Sequence, residues 1–200
     1  MNKGCMISLI IGGIFLFIAI AFVGWGISAY NKMVTMDESV KAQWGNVENQ
    51  YQRRADLIPN LVNTVKGYAT HEQSTLTEVT EARAKATQIT IDPNKLDAQS
   101  LQRFQAAQGE LSQALGRLLM VQERYPDLKA NQNFLELQAQ LEGTENRIST
   151  ERTRFNDDAK LFNQYIRTFP QSLVAGFGGF NQFPYFQAEQ GANKAPKVEF

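Results

Sequence analysis

The chain has one histidine and one cysteine among its 200 residues. A single cysteine, Cys5, excludes an intramolecular disulfide. A lone His71 is a poor start for a zinc site, which draws on several His or Cys ligands. A zinc-protease helix needs a second histidine four positions on, and that position is Thr75. A di-iron bundle needs a Glu-x-x-His from each of two helices, but Tyr68 stands three residues before His71. Charge of one sign is not in excess either: 20 basic and 20 acidic residues give a formal net charge of zero. There is therefore no basic field to draw nucleic acid. No Gly-x-Ser-x-Gly turn presents a nucleophile. The glycine-rich stretch at 176–179 lacks the Lys-Ser or Lys-Thr and the strand-to-helix setting of a phosphate cradle. These absences predict a protein that is not an enzyme, uses no cofactor or metal, and binds no nucleic acid.

Charge is also missing from one continuous stretch. Met6 to Ile27 contains no charged residue, and no acid precedes Asp37. As a helix this run spans about 33 Å, enough to cross a hydrocarbon core of roughly 30 Å. It is longer than the apolar stretch of a signal peptide, although Ala19-Ile20-Ala21 and Ile27-Ser28-Ala29 end in small residues that a signal peptidase would accept. It also lacks the polar stripe of a soluble helix. A lipoprotein cysteine would follow the run, whereas Cys5 precedes it and sits where palmitoylation next to a membrane is one option. The expectation is a transmembrane anchor, with the lipid bilayer as the partner of Met6 to Ile27. Lys3 on one side against Lys32, Lys41, Arg53 and Arg54 on the other places the short N-terminus outside and the following domain in the cytoplasm.

Beyond the anchor, apolar residues recur at steps of three and four: Met33, Met36, Val40, Trp44, Val47, Tyr51, Ile58, Leu61, Val65, Tyr68, Leu76 and Val79. This is a helical period. It keeps phase across Pro59, which removes a backbone donor. Two structures fit: one long helix kinked at Pro59, or two helices meeting there. Ile89 to Asn94 reads as a loop, with Asp92 capping a helix that Pro93 opens. The next seam is Leu101, Phe104, Ala107, Leu111, Leu115, Leu118 and Val121, closing at Tyr125-Pro126. Gly109, Ser112 and Gly116 form a small-residue stripe beside it, suited to a close pass of a neighbouring helix or to a contact between copies. A last helix, capped by Asp127, carries Phe134, Leu137, Leu141, Thr144, Ile148, Phe155, Ala159, Phe162, Ile166 and Phe169, and Pro170 stops it. The tail from Gln171 matches neither helix nor strand. Its aromatics Phe177, Phe180, Phe183, Tyr185, Phe186 and Phe200 predict docking along the bundle or contact with a bilayer surface or partner.

The fold class is therefore all-α: an N-terminal transmembrane helix, then an antiparallel up-and-down bundle of three to four long helices, then an irregular aromatic and glycine-rich tail. The expected domains are 1–29, 30–170 and 171–200. Polar residues interrupt the seams at Arg54, Glu72 and Arg152. Buried charges need partners, so Arg152 is expected to pair with Glu72 or another carboxylate. Arg54, Glu72, Arg152 and Asn156 are the candidate buried polar or interaction positions.

Several of these stretches together resemble a known family. They are Arg53-Arg54-Ala55-Asp56-Leu57-Ile58-Pro59-Asn60-Leu61-Val62, Val65-Lys66-Gly67-Tyr68, His71-Glu72, Glu81-Ala82-Arg83, Tyr125-Pro126-Asp127-Leu128-Lys129-Ala130-Asn131, Glu145-Asn146-Arg147-Ile148, Phe155-Asn156-Asp157 and the closing Val198-Glu199-Phe200. In this order they closely resemble the LemA family of bacterial membrane proteins. The resemblance implies an anchored helical bundle at the bacterial inner membrane, with a short N-terminus outside. It supplies no reaction and no catalytic residues. The leading expectation is an adaptor or scaffold with a protein partner. Self-assembly at the membrane surface is the alternative, and a ligand sensor or unrecognised enzyme using Arg54, Glu72 and Arg152 is the second.

Overall fold

A computed structural model describes residues 3–187, with side chains from residue 10 onward. The side chain of Cys5, the residue Phe200 and the Val198-Glu199-Phe200 ending lie outside the described residues. The described chain is helical, with six α-helices: α1 (Lys3–Tyr68), α2 (Gln73–Gln88), α3 (Ala98–Met120), α4 (Pro126–Lys129), α5 (Gln132–Arg167) and α6 (Gln171–Gly178). Contacts divide it into two units. One holds the residues up to Val40 together with Asp158–Gln182, and the other holds Lys41–Asp157 and the residues from Phe183 on.

In the first unit, α1 carries an apolar segment long enough to cross a membrane. Its large aliphatic and phenylalanine side chains, from Ile10 through Phe15, Phe17 and Phe22 to Ile27, are exposed, and Trp25 is half-buried. Past it, Ala29, Met33 and Val40 are buried, as are Ala159, Phe162 and Ile166 of α5 and Ala175 of α6. Phe180 closes this core, its ring 5.5 Å from Tyr30 and 6.2 Å from Phe162. α6 is a correction to the irregular tail expected from Gln171. It ends at Gly179, whose φ of 72° is the left-handed conformation that glycine adopts without a Cβ penalty. Phe169, assigned to the last seam, is instead 77% exposed and follows the end of α5.

The second unit is a four-helix bundle. Ion pairs and hydrogen bonds fix its directions. Lys85 meets Glu110 while Glu78 meets Arg117, so α2 and α3 are antiparallel. Gln43 bonds Glu151 while Arg54 bonds Glu145, so α1 and α5 are antiparallel. The seams form its core, with Trp44, Leu61, Leu111, Leu118, Phe134 and Phe155 fully buried. Each such side chain contributes about 1.5–3 kcal/mol of burial free energy. The helix starts differ from expectation in two places. Asp92 and Pro93 open only a 3-10 turn, Pro93–Lys95, and α3 begins at Ala98. Asp97 caps α3 through a reciprocal box in which the Ser100 N–H donates to the Asp97 carboxylate at 2.7 Å. α5 is capped by Asn131, which accepts from the Phe134 N–H at 2.9 Å, rather than by Asp127, which lies within α4.

α1 continues through Pro59 as one helix, and the chain reverses later, between Tyr68 and Gln73. Proline offers no N–H to the carbonyl four residues earlier, which belongs to Ala55, a buried residue. Arg83 of α2 repairs that loss: its Nε donates to the Ala55 carbonyl at 2.7 Å. Arg83→Met should therefore cost about 1–2 kcal/mol, the penalty of an unpaired buried acceptor. Pro59→Ala returns the missing N–H, so in that background the same substitution should cost about 1 kcal/mol less. Unfolding measurements on the four forms check this, and equal costs in both backgrounds would refute it.

Candidate functional site

The polar residues of the bundle form two connected sets. The first centres on Arg54, which takes an apolar slot of the α1 seam between Tyr51 and Ile58 and is 2% exposed. Its Nη1 donates to Ser112 Oγ at 2.9 Å and to Glu145 Oε2 at 2.7 Å. Its Nη2 donates to Gln108 Oε1 at 2.7 Å and to the Gln108 carbonyl at 3.3 Å. Nε is buried without a hydrogen-bond partner. The guanidinium lies 5.1 Å from the centre of the Tyr51 ring. One side chain of α1 thus makes three hydrogen bonds to α3 and one to α5. A small recess of about 50 Å³ opens beside it, lined by Arg54, Gln105, Ser112, Glu145 and Arg152.

The second set holds the chain after α6. Asn156 of α5 makes a two-way bond to the backbone of one residue: its Oδ1 accepts from the Phe186 N–H at 2.8 Å and its Nδ2 donates to the Phe186 carbonyl at 3.1 Å. Arg152, one turn earlier on α5, donates to the Gln187 carbonyl at 2.9 Å and covers the Phe186 ring at 5.0 Å. Phe186 stacks on Trp44 at 5.9 Å and meets Phe155 edge-on at 5.4 Å. Asn156→Ala removes both bonds and should cost about 1–2 kcal/mol. It should also speed proteolytic cleavage near Phe186, read by timed digestion and mass spectrometry. Unchanged cleavage would mean that the aromatic stacking alone holds this segment.

Glu72 belongs to neither set. It sits at the α1–α2 turn, where its carboxylate accepts from Arg124 at 2.9 Å and from the Tyr125 hydroxyl at 3.2 Å. The expected pairing of Arg152 with Glu72 does not form, because the two residues serve different places on the bundle. Burial holds the Glu48 carboxyl above its ordinary value. The residues that sequence reasoning missed are Gln108, Ser112 and Glu145 as partners of Arg54, and Arg83 as the donor to the Ala55 carbonyl that Pro59 leaves open. Ser112 had left a trace in the small-residue stripe, Arg83 and Glu145 stood within the quoted motifs without an assigned role, and Gln108 had left none.

Chemically, both sets are locks. Apart from Arg54 Nε, the donors and acceptors described bind other parts of the same chain. Among the described residues, no group of three His, Cys, Asp or Glu side chains stands together in a way that could hold a metal ion.

An exposed apolar helix of membrane-spanning length and a four-helix bundle with a buried, bonded guanidinium define a membrane-associated helical-bundle protein. The chain belongs to the LemA family, whose family model matches residues 43–200. It is similar to magnetosome protein MamQ 2 of Paramagnetospirillum magneticum, 28% identical over 196 residues that cover 90% of this chain and 72% of the relative. MamQ of Magnetospirillum gryphiswaldense matches to the same extent, 28% over 196 residues. Protein LemA of Metamycoplasma hominis is 25% identical over 163 residues, covering 80% of this chain and 69% of that protein.

Proposed function

We propose that this protein works by binding, as an adaptor or scaffold anchored in the bacterial inner membrane with its bundle on the cytoplasmic side. The observation that carries this reading is how the interior polar groups are used. Arg54 is occupied by Gln108, Ser112 and Glu145, and Asn156 by the Phe186 backbone. The bundle therefore meets the rest of the cell through its outer helix faces. The excess of Lys and Arg after the apolar run supports the cytoplasmic placement.

The test places a photo-crosslinking amino acid at exposed bundle positions such as Arg53, Asn60, Lys129 and Arg147 and irradiates intact cells. The proposal expects discrete products with a different protein, present at some positions and absent at others. Products that are only multiples of this chain's own mass would point to self-assembly and overturn it, as would no product at any position. Protease added to intact cells and to lysed cells tests the side: the bundle should be cut only after lysis.

A further inference from the structure

The apolar surface of the first unit does not stop where the membrane-spanning run stops. Between Arg167 and Glu189 the sequence carries no charge. Within this stretch α6 buries Ala175 and turns Leu173 and Phe177 outward, at 49% and 95% exposure. These two are four residues apart and share one helix face, and Phe169 continues the spacing just before the helix. A large aromatic left almost wholly in water loses the burial free energy that its side chain offers, and three exposed apolar side chains in a row call for a cover.

The position of α6 says what that cover is. Its C-terminal end abuts Tyr30: a Cβ on Gly178 would stand 3.1 Å from the Tyr30 ring, and Phe180, which follows, packs on the same ring. Tyr30 is three residues past Ile27, the last residue of the uncharged run, a rise of about 4.5 Å along α1. The C-terminal end of α6, with Phe177 next to Gly178, thus stands within about one helical turn of the end of the uncharged run. Exposed Lys32 and Arg167 flank this region and complement anionic headgroups. Tyr30 and Trp25 occupy the level where aromatic residues mark a membrane–water boundary.

We propose that Phe169, Leu173 and Phe177 of the α6 region lie in the lipid headgroup–acyl boundary, as a second membrane contact beside the spanning helix. This rests on the membrane association of the apolar run and is independent of the adaptor reading. Side chains on such a face reach about 5–10 Å below the headgroups, so the contact is shallow. It ties the second chain segment of this unit to the bilayer as well as the first.

The experiment uses the full chain in vesicles of phosphatidylcholine and phosphatidylglycerol. With Cys5→Ser as background, single cysteines at Leu173→Cys, Phe177→Cys and, as a reference in the bundle, Asn63→Cys carry an environment-sensitive fluorophore. Leu173, Phe177 and Asn63 are exposed, so the labels leave the core untouched. Emission at 173 and 177 should shift to the blue and lose roughly half its intensity to lipids brominated near the headgroup, and less to lipids brominated near the bilayer centre, as the shallow depth requires. Label at Asn63 should respond to neither. Adding Phe177→Glu should cut the quenching at Leu173→Cys at least about twofold, because a charge at this depth is expelled toward water. Water-like, unquenched emission at both positions overturns the proposal. So does ready oxidation of unlabelled Phe177→Cys to a covalent dimer with no lipid quenching, which would make the stripe a contact between copies.

Discussion

Trp44→Ala will lower the stability of the bundle by about 3–5 kcal/mol, the range for deleting a large aromatic from a packed core. Trp44 is fully buried and its indole is shared by three other segments. Phe104 of α3 meets it edge-on at 5.3 Å, Phe155 of α5 edge-on at 5.8 Å, and Phe186 stacks on it at 5.9 Å. Offset and edge-on ring pairs contribute about 0.5–1.5 kcal/mol each beyond burial. These terms are not additive here, because removing one ring loosens all the others at once. The deletion removes contacts with three rings at once, which places the cost high in the range. Thermal unfolding of the full chain in detergent, followed by helical circular dichroism, should show a fall on the order of 10 °C, at roughly 2–4 °C per kcal/mol for a chain of this size. Trp44→Phe keeps one ring and should fall in between. A loss under about 1 kcal/mol for Trp44→Ala would mean that the cluster is not a keystone of the core.

Trp44 also marks what a sequence can and cannot convey. The seam that contains it follows from periodicity alone, and Met33, Val40, Trp44, Val47, Tyr51, Ile58, Leu61 and Val65 are buried, while Met36 is half-buried and Tyr68, at the end of α1, is 43% exposed. The continuation of that seam to Leu76 and Val79 is a different matter. The four residues between α1 and α2, Ala69 to Glu72, advance the helical phase by only slightly more than one full turn. A reversal of that length leaves the periodicity nearly intact, and the linker holds neither glycine nor proline. The pattern was therefore blind to the place where the chain turns back. Pro59 drew attention because proline breaks local bonding, yet its consequence is repaired by Arg83 of the next helix, and no local rule connects those positions. Of the candidate site residues, Arg54 was conspicuous as a charge in an apolar slot. Its partners were not, since Glu145 lies on an exposed face and Gln108 beside the α3 seam. Asn156 was visible only within a motif. Its two bonds go to backbone atoms of a segment 30 residues away, and backbone donors and acceptors leave no trace in residue type.

Glu145→Ala should cost about 2–4 kcal/mol, far beyond the half kcal/mol or so expected at an ordinary surface position. The Glu145 side chain is 53% exposed, whereas that of its partner Arg54 is 3% exposed. The damage comes from what is left behind. With Glu145 gone, the guanidinium stays in the seam with only neutral acceptors, Gln108 and Ser112, and an uncompensated buried charge costs several kcal/mol. Those acceptors, and water entering the adjoining recess, offset part of this. Arg54→Met is the milder change even though it alters the buried residue. It places an unbranched apolar side chain in an apolar slot, and Glu145 then turns to solvent. Its cost, about 1–2 kcal/mol, comes from the Gln108 side chain losing a partner. The two effects are strongly coupled: in the Glu145→Ala background, Arg54→Met removes the stranded charge and should restore stability, a coupling of about 1–3 kcal/mol. Unfolding of the four forms measures it. Additive costs would show that Glu145 does not neutralise Arg54. The predicted coupling would mean that the buried charge serves to fix α1 against α3 and α5 in one register, a role for which stability alone would have favoured methionine.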